Sequence, residues 1–129
     1  MKIITTSILN LFLTISVFAQ PQVIDYEDYR NGLAAKRQGE YEQAIDYLSN
    51  FLVDYDFYPR AYYARGHSYS KLGKYEKALA DFEQLCILEP KNSEAFYSAG
   101  QMSYNLGELE NAVTYFSKTI RLKPFHAYA

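Results

Sequence analysis

A chain of 129 residues with a formal net charge of −2, 49% hydrophobic residues and 6 glycines has the composition of one folded unit, neither low-complexity nor disordered. The slight acidity argues against nucleic-acid binding by charge, and a single cysteine, Cys86, leaves no intramolecular disulfide. With only His67 and His126, no glycine-rich phosphate loop and no clustered metal ligands, the expectation is a protein without catalysis or cofactor.

In chain order, residues 1–19 read as a secretory signal peptide. Lys2 is the sole charge, an apolar run extends from Ile3 to Phe18, and Ala19 places a small residue at the cleavage position. Thr5, Thr6, Ser7, Asn10, Thr14 and Ser16 dilute that run, which is short for a membrane span. Cleavage after Ala19, with no cysteine following it, predicts an exported protein, periplasmic or extracellular, with no integral membrane segment remaining. Residues 20–24 form a short lead-in carrying Pro21.

Helical patterning starts at Asp25, with Asp25, Glu27 and Asp28 in an opening turn where acids complement the helix dipole, and runs to Gln38. Gly39 breaks it. A second helix over Tyr41–Val53 shows Ala44, Ile45, Leu48, Phe51 and Leu52 on one apolar face. Pro59 opens the next pair, about Arg60–Leu72 and Tyr75–Leu88, split by Gly73, with Ala64, Tyr69, Leu72, Ala78, Leu79, Phe82 and Leu85 expected inward. Ser93 is the expected N-cap of the last pair, about Glu94–Leu106 and Leu109–Leu122, split by Gly107. Gly66 against Ala78 and Gly100 against Ala112 are the expected close approaches within the pairs.

These pairs are copies of one unit. Gly73-Lys74-Tyr75-Glu76-Lys77-Ala78 repeats 34 residues upstream as Gly39-Glu40-Tyr41-Glu42-Gln43-Ala44 and 34 downstream as Gly107-Glu108-Leu109-Glu110-Asn111-Ala112. The same step aligns Gly32, Gly66 and Gly100, then Leu48, Phe82 and Phe116, then Pro90 and Pro124. This pattern resembles the tetratricopeptide repeat (TPR). The family's opening Trp column holds Asp28, Tyr62 and Phe96 here, and its Leu before the first Gly is replaced by Asn31, Arg65 and Ala99. The resemblance implies an all-α, right-handed solenoid of helix–turn–helix units, at residues 25–58, 59–92 and 93–126, with 127–129 a tail that starts a possible fourth repeat. The first unit diverges most, as an end unit facing solvent does. No extra capping helix follows the third, so Val113, Phe116 and Ile120 are expected to be partly uncovered, and a missing downstream segment, self-association or a capping partner would each account for it.

The resemblance also implies a concave groove lined by the first helix of each unit, receiving an extended peptide or a partner helix. Mapped onto this chain, the partner-binding candidates are Tyr29, Arg30, Arg60, Tyr63, His67, Lys71, Tyr97, Gln101 and Tyr104. One column is Tyr in all three units, Tyr29, Tyr63 and Tyr97; it reads either as aromatic anchoring or as inter-helix packing with hydroxyls at the water edge. Arg30, Lys36, Arg37, Arg60 and Lys71 stand against Glu94 in these columns, either a basic groove suited to carboxylates or a solvated charged face. The Lys/Asn/Asn/Lys/Arg clamp with which cytosolic TPR co-chaperones grip a chaperone's C-terminal carboxylate is absent: its columns read Tyr29, Leu33, Ala64, Glu94 and Ser98. Cys86 falls toward the packed layer and His67 toward the groove, which separates the one conceivable thiol–imidazole couple. The function expected is an exported protein–protein interaction module with a protein or peptide partner, possible self-association through the last helix, and no nucleic acid. A glycan-binding module using the tyrosines, or a self-assembling scaffold, are the alternatives.

Overall fold

The computed structural model describes residues 24–123, so the expected leader, most of the lead-in, and the end of the third unit with its tail lie outside the described residues. Six helices follow in order: α1 (Glu27–Gln38), α2 (Tyr41–Asp54), α3 (Pro59–Lys71), α4 (Tyr75–Leu88), α5 (Ser93–Asn105) and α6 (Leu109–Leu122), with no strand among the described residues. Each helix packs on the next and α1 also touches α3, which builds a right-handed α-solenoid of three helix pairs.

The joint within each pair is the same. Gly39, Gly73 and Gly107 have φ of 80°, 69° and 77°, the left-handed conformation that glycine adopts without a Cβ penalty. After α1 the Glu40 N–H bonds the Ala35 carbonyl at 3.0 Å and the Gly39 N–H bonds that of Lys36 at 3.1 Å. Lys74 with Tyr69 and Gly73 with Ser70 repeat this pairing, as do Glu108 with Ser103 and Gly107 with Tyr104. All three are Schellman caps, which satisfy carbonyls that the helix end leaves without partners.

Helix starts are more varied. Pro59 stands at the first position of α3, where its missing N–H costs nothing. Asp25 precedes α1 rather than joining it, and its Oδ1 accepts the Glu27 N–H at 2.9 Å. The cap of α5 is Asn92, not Ser93: Asn92 Oδ1 accepts the N–H groups of Glu94 and Ala95 at 3.0 and 3.2 Å. Ser93 instead begins the helix as a buried residue, because the chain turns inward one residue earlier than the spacing predicts.

Close packing within a pair sets each glycine first against the Leu48, Phe82 and Phe116 column, not, as expected, against an alanine side chain. A Cβ on Gly66 would meet the Phe82 ring at 3.1 Å, one on Gly100 the Phe116 ring at 2.7 Å, and one on Gly32 the Leu48 Cγ at 2.7 Å. The alanine column, Ala44, Ala78 and Ala112, is buried beside these contacts. Leu48, Phe51, Leu52, Ala61 and Ala64 join the first pair to the second, and Ala78, Leu79, Phe82, Leu85, Cys86, Ala95, Ala99 and Met102 join the second to the third. Tyr69 and Leu72, expected inward, are half-buried at the edge of this layer.

Between the layers lies one ion pair, the only one among the described residues. Arg65 Nη2 and Nε donate to Asp81 Oδ1 and Oδ2 at 2.7 and 2.9 Å, and Nη1 donates to Ser49 Oγ at 3.1 Å. The guanidinium also sits 5.8 Å from the Tyr62 ring centre and 5.9 Å from that of Tyr69. Arg65 occupies the column where the repeat pattern calls for Leu. Its planar fork therefore ties α3 to both α2 and α4 where a leucine would only fill space.

Candidate functional site

The inner helices α1, α3 and α5 line a trough formed by three adjoining clefts. The first, about 340 Å³, is bounded by Tyr29, Leu33, Lys36, Pro59, Arg60, Tyr63, Ala64, Leu85, Glu89, Asn92 and Glu94. Tyr63 and Glu94 also border the second, about 180 Å³, together with His67, Ser70, Tyr97, Ser98 and Gln101. Tyr97 and Gln101 pass into the third, about 470 Å³, which ends at Tyr104, Asn105 and Phe116. Seven of the nine residues expected at the groove thus come together along it: Tyr29, Arg60, Tyr63, His67, Tyr97, Gln101 and Tyr104. Arg30 and Lys71 do not line these clefts, and both are exposed.

The tyrosine column packs between helices, one of the two readings the sequence left open, and keeps its polar ends toward the trough. Tyr29 packs at 5.3 Å on Phe51 and 5.1 Å on Tyr58, Tyr63 at 6.2 Å on Phe82, and Tyr97 at 5.8 Å on Phe116. Each ring is thus braced by the helix behind it. The hydroxyls remain at the trough: Tyr63 donates to Glu94 Oε1 at 3.0 Å, and Tyr97 accepts from Gln101 Nε2 at 3.0 Å. Burial raises the Tyr63 phenol above its ordinary value, and the bond to Glu94 raises it further. Burial raises that of Tyr29 as well. Both are neutral hydrogen-bonding groups at physiological pH.

The cations have a different standing. Lys36 is half-buried with its ammonium 5.7 Å from the Tyr63 ring centre, and burial pushes its pKa down. His67 is lowered by burial and then by the nearby charges of Lys36 and Lys71, so it is neutral at physiological pH; its Nδ1 is buried with no hydrogen-bond partner. The acids of the trough are already engaged. Glu94 accepts from Tyr63, and Glu89 accepts from Asn92 Nδ2 at 2.7 Å. Neither Lys36 nor Arg60 makes an ion pair among the described residues, although Glu89 and Glu94 line the same cleft, so both cations stand free of a direct carboxylate contact.

Lys36, placed in the groove columns beside Ser70 and Tyr104, lines the first cleft as expected of its register. Two polar lining residues, Glu89 and Asn92, escaped the sequence reading. Glu89 and Asn92 come from the link between α4 and α5, which no helical column covers, and Glu89 makes the trough less basic than the columns imply. Cys86 belongs to the packed layer, where burial pushes its thiol up to about 11, and no hydrogen bond joins it to His67. Among the described residues no three His, Cys, Asp or Glu side chains converge on a metal-sized site, and no helix is long and apolar enough to cross a membrane.

The family model described as tetratricopeptide repeat matches residues 29–69 and 63–127. The chain belongs to the tetratricopeptide repeat family. Among solved TPR structures, it is similar to MamA at 28% identity over 76% of this chain, with a TM-score of 0.70. It spans 57% of that MamA chain. The second TPR domain of human RPAP3, solved in complex with the HSP70 peptide SGPTIEEVD, is 28% identical with a TM-score of 0.71, covering 76% of this chain and 82% of that one. The second TPR of Spaghetti (RPAP3), bound to the HSP90 peptide SRMEEVD, is 27% identical with a TM-score of 0.70, covering 74% of this chain and 89% of that one. A search of curated protein sequences returned no match. All five clamp columns of this TPR protein, Tyr29, Leu33, Ala64, Glu94 and Ser98, border the first two clefts without supplying the cationic set.

Proposed function

We propose that this TPR protein is a non-catalytic interaction module that holds an extended, acidic segment of a partner protein along its concave trough. The observation that carries the reading is that Lys36, its ammonium 5.7 Å from the centre of the braced Tyr63 ring, and Arg60 line one cleft and neither is held in an ion pair among the described residues. A half-buried ammonium gains more from a carboxylate than a solvated one does, because the surrounding medium screens less. The peptide complexes of similar TPR domains support a peptide as occupant. The missing clamp columns argue that the contact here is to side-chain carboxylates along the segment. The apolar leader supports export, so the partner would be an envelope or extracellular protein.

A ladder of sugar rings stacked on the tyrosines is the weaker alternative. Tyr29 and Tyr63 are half-buried against other rings, and the exposed tyrosines of the trough, Tyr97 at 47% and Tyr104 at 63%, gather at one end of it. An array of random peptides separates the two. Acid-rich members should bind, should weaken as salt is raised, and should lose about tenfold in affinity with Lys36→Glu. Equal binding of acidic, neutral and basic members, or retention of binding by Lys36→Glu, refutes the reading.

A further inference from the structure

Helix α6 presents an apolar face that the rest of the fold teaches how to read. Val113 is 64% exposed, whereas its counterparts one and two units earlier, Leu79 and Ile45, are each 9% exposed. Ile120 is 61% exposed, against 9% for Cys86 and 7% for Leu52 in the same column. Those counterparts are covered by the first helix of the following pair, α5 over α4 and α3 over α2. Leu109, Val113, Phe116 and Ile120 are spaced four, three and four residues apart, the seam of two helices packed along their length. At about 1.5 Å per residue the stripe runs for roughly 16 Å.

The chain's own α1 does not suit this face. At the positions where α3 and α5 present Tyr62 and Phe96, Leu72 and Leu106, and Ala61 and Ala95, α1 carries Asp28, Gln38 and Glu27. Continuing the stack head to tail would desolvate two carboxylates against Val113 and Ile120 without partners. Charge then selects the alternative. Glu110 and Arg121 flank the stripe on the same exposed side, one at each end of α6, and neither side chain has a hydrogen-bond or ion-pair partner among the described residues. An antiparallel match of two α6 helices sets Leu109 against Ile120 and Val113 against Phe116, brings Glu110 within two residues of Arg121 on the same side of the seam, and opposes the helix dipoles. A parallel match about a two-fold axis puts that flank of each helix on opposite sides of the seam, where Glu110 and Arg121 do not meet.

We propose that α6 is a homodimer interface, docking antiparallel on α6 of a second copy about a two-fold axis between Val113 and Phe116. The seam is small, so the dimer is a reversible one. Sedimentation equilibrium of the full chain from about 5 to about 200 µM should show a monomer passing to a dimer and no larger species. Val113→Glu should leave a monomer throughout with unchanged helical circular dichroism. Arg121→Glu should weaken association about tenfold, and adding Glu110→Lys to it should restore association, since the exchanged charges oppose correctly only in the antiparallel match. A monomer at every concentration, a ladder of higher oligomers, or a charge exchange that fails to rescue each overturns the proposal. So does a chain that dimerises only after removal of residues 124–129, because that result identifies the segment as the cover of α6.

Discussion

Asp81 is the carboxylate most dependent on a single neighbour. Its side chain is 5% exposed, and burial pushes its pKa up more than Arg65 pulls it down. Such a pair contributes little net stability over an apolar replacement, yet breaking it on one side strands a charge. Asp81→Asn should therefore lower unfolding free energy by about 3 kcal/mol, measured by urea denaturation, while Arg65→Met with Asp81→Leu should cost less than the single change. A single substitution as benign as a surface change would show that the fork is solvated rather than structural. The sequence marked Arg65 as a departure from the repeat pattern but could not supply the reason, because the partner stands 16 residues away on another helix. The packing of Tyr63 was legible from its column, whereas the bond of its hydroxyl to Glu94, a residue of the next unit, was not.

Helix boundaries followed from glycine and proline because those residues act through local torsion, which sequence records directly. Caps made by side chains were harder. Asn92 and Ser93 are both good capping residues, and the choice depends on where the chain turns toward the layer below. Asn92→Ala should cost about 1 kcal/mol of stability, whereas Ser93→Ala should leave the capping contribution intact; thermal unfolding of the two variants in parallel decides it. Equal losses would return the cap to Ser93. The inner-helix columns placed most of the trough in advance, since register alone orients a helix face. Glu89 and Asn92 were invisible to that logic because the link between α4 and α5 has no period.

Across the whole stack, stability should be graded from the middle outward. The layer joining the second and third pairs buries eight apolar residues, while α6 buries Ala112 alone. In a linear array each unit is held by its neighbours, and among the described residues the third unit packs on one neighbour only. Amide hydrogen exchange at concentrations where the chain is monomeric should show α6 exchanging at least about tenfold faster than α4. Uniform protection across all six helices would instead indicate a single cooperative block.

The three Schellman turns repeat in torsion angle as well as in spacing, so the hinge between paired helices is written in a glycine column that lines none of the three clefts, and it borrows only backbone carbonyls from the column that does. Side chains along the trough and the glycines that set the pitch are therefore separately editable. A middle pair rewritten at Arg60, an exposed side chain on the first cleft, would keep its geometry while changing the charge that the trough offers, which makes this stack a chassis for altered specificity.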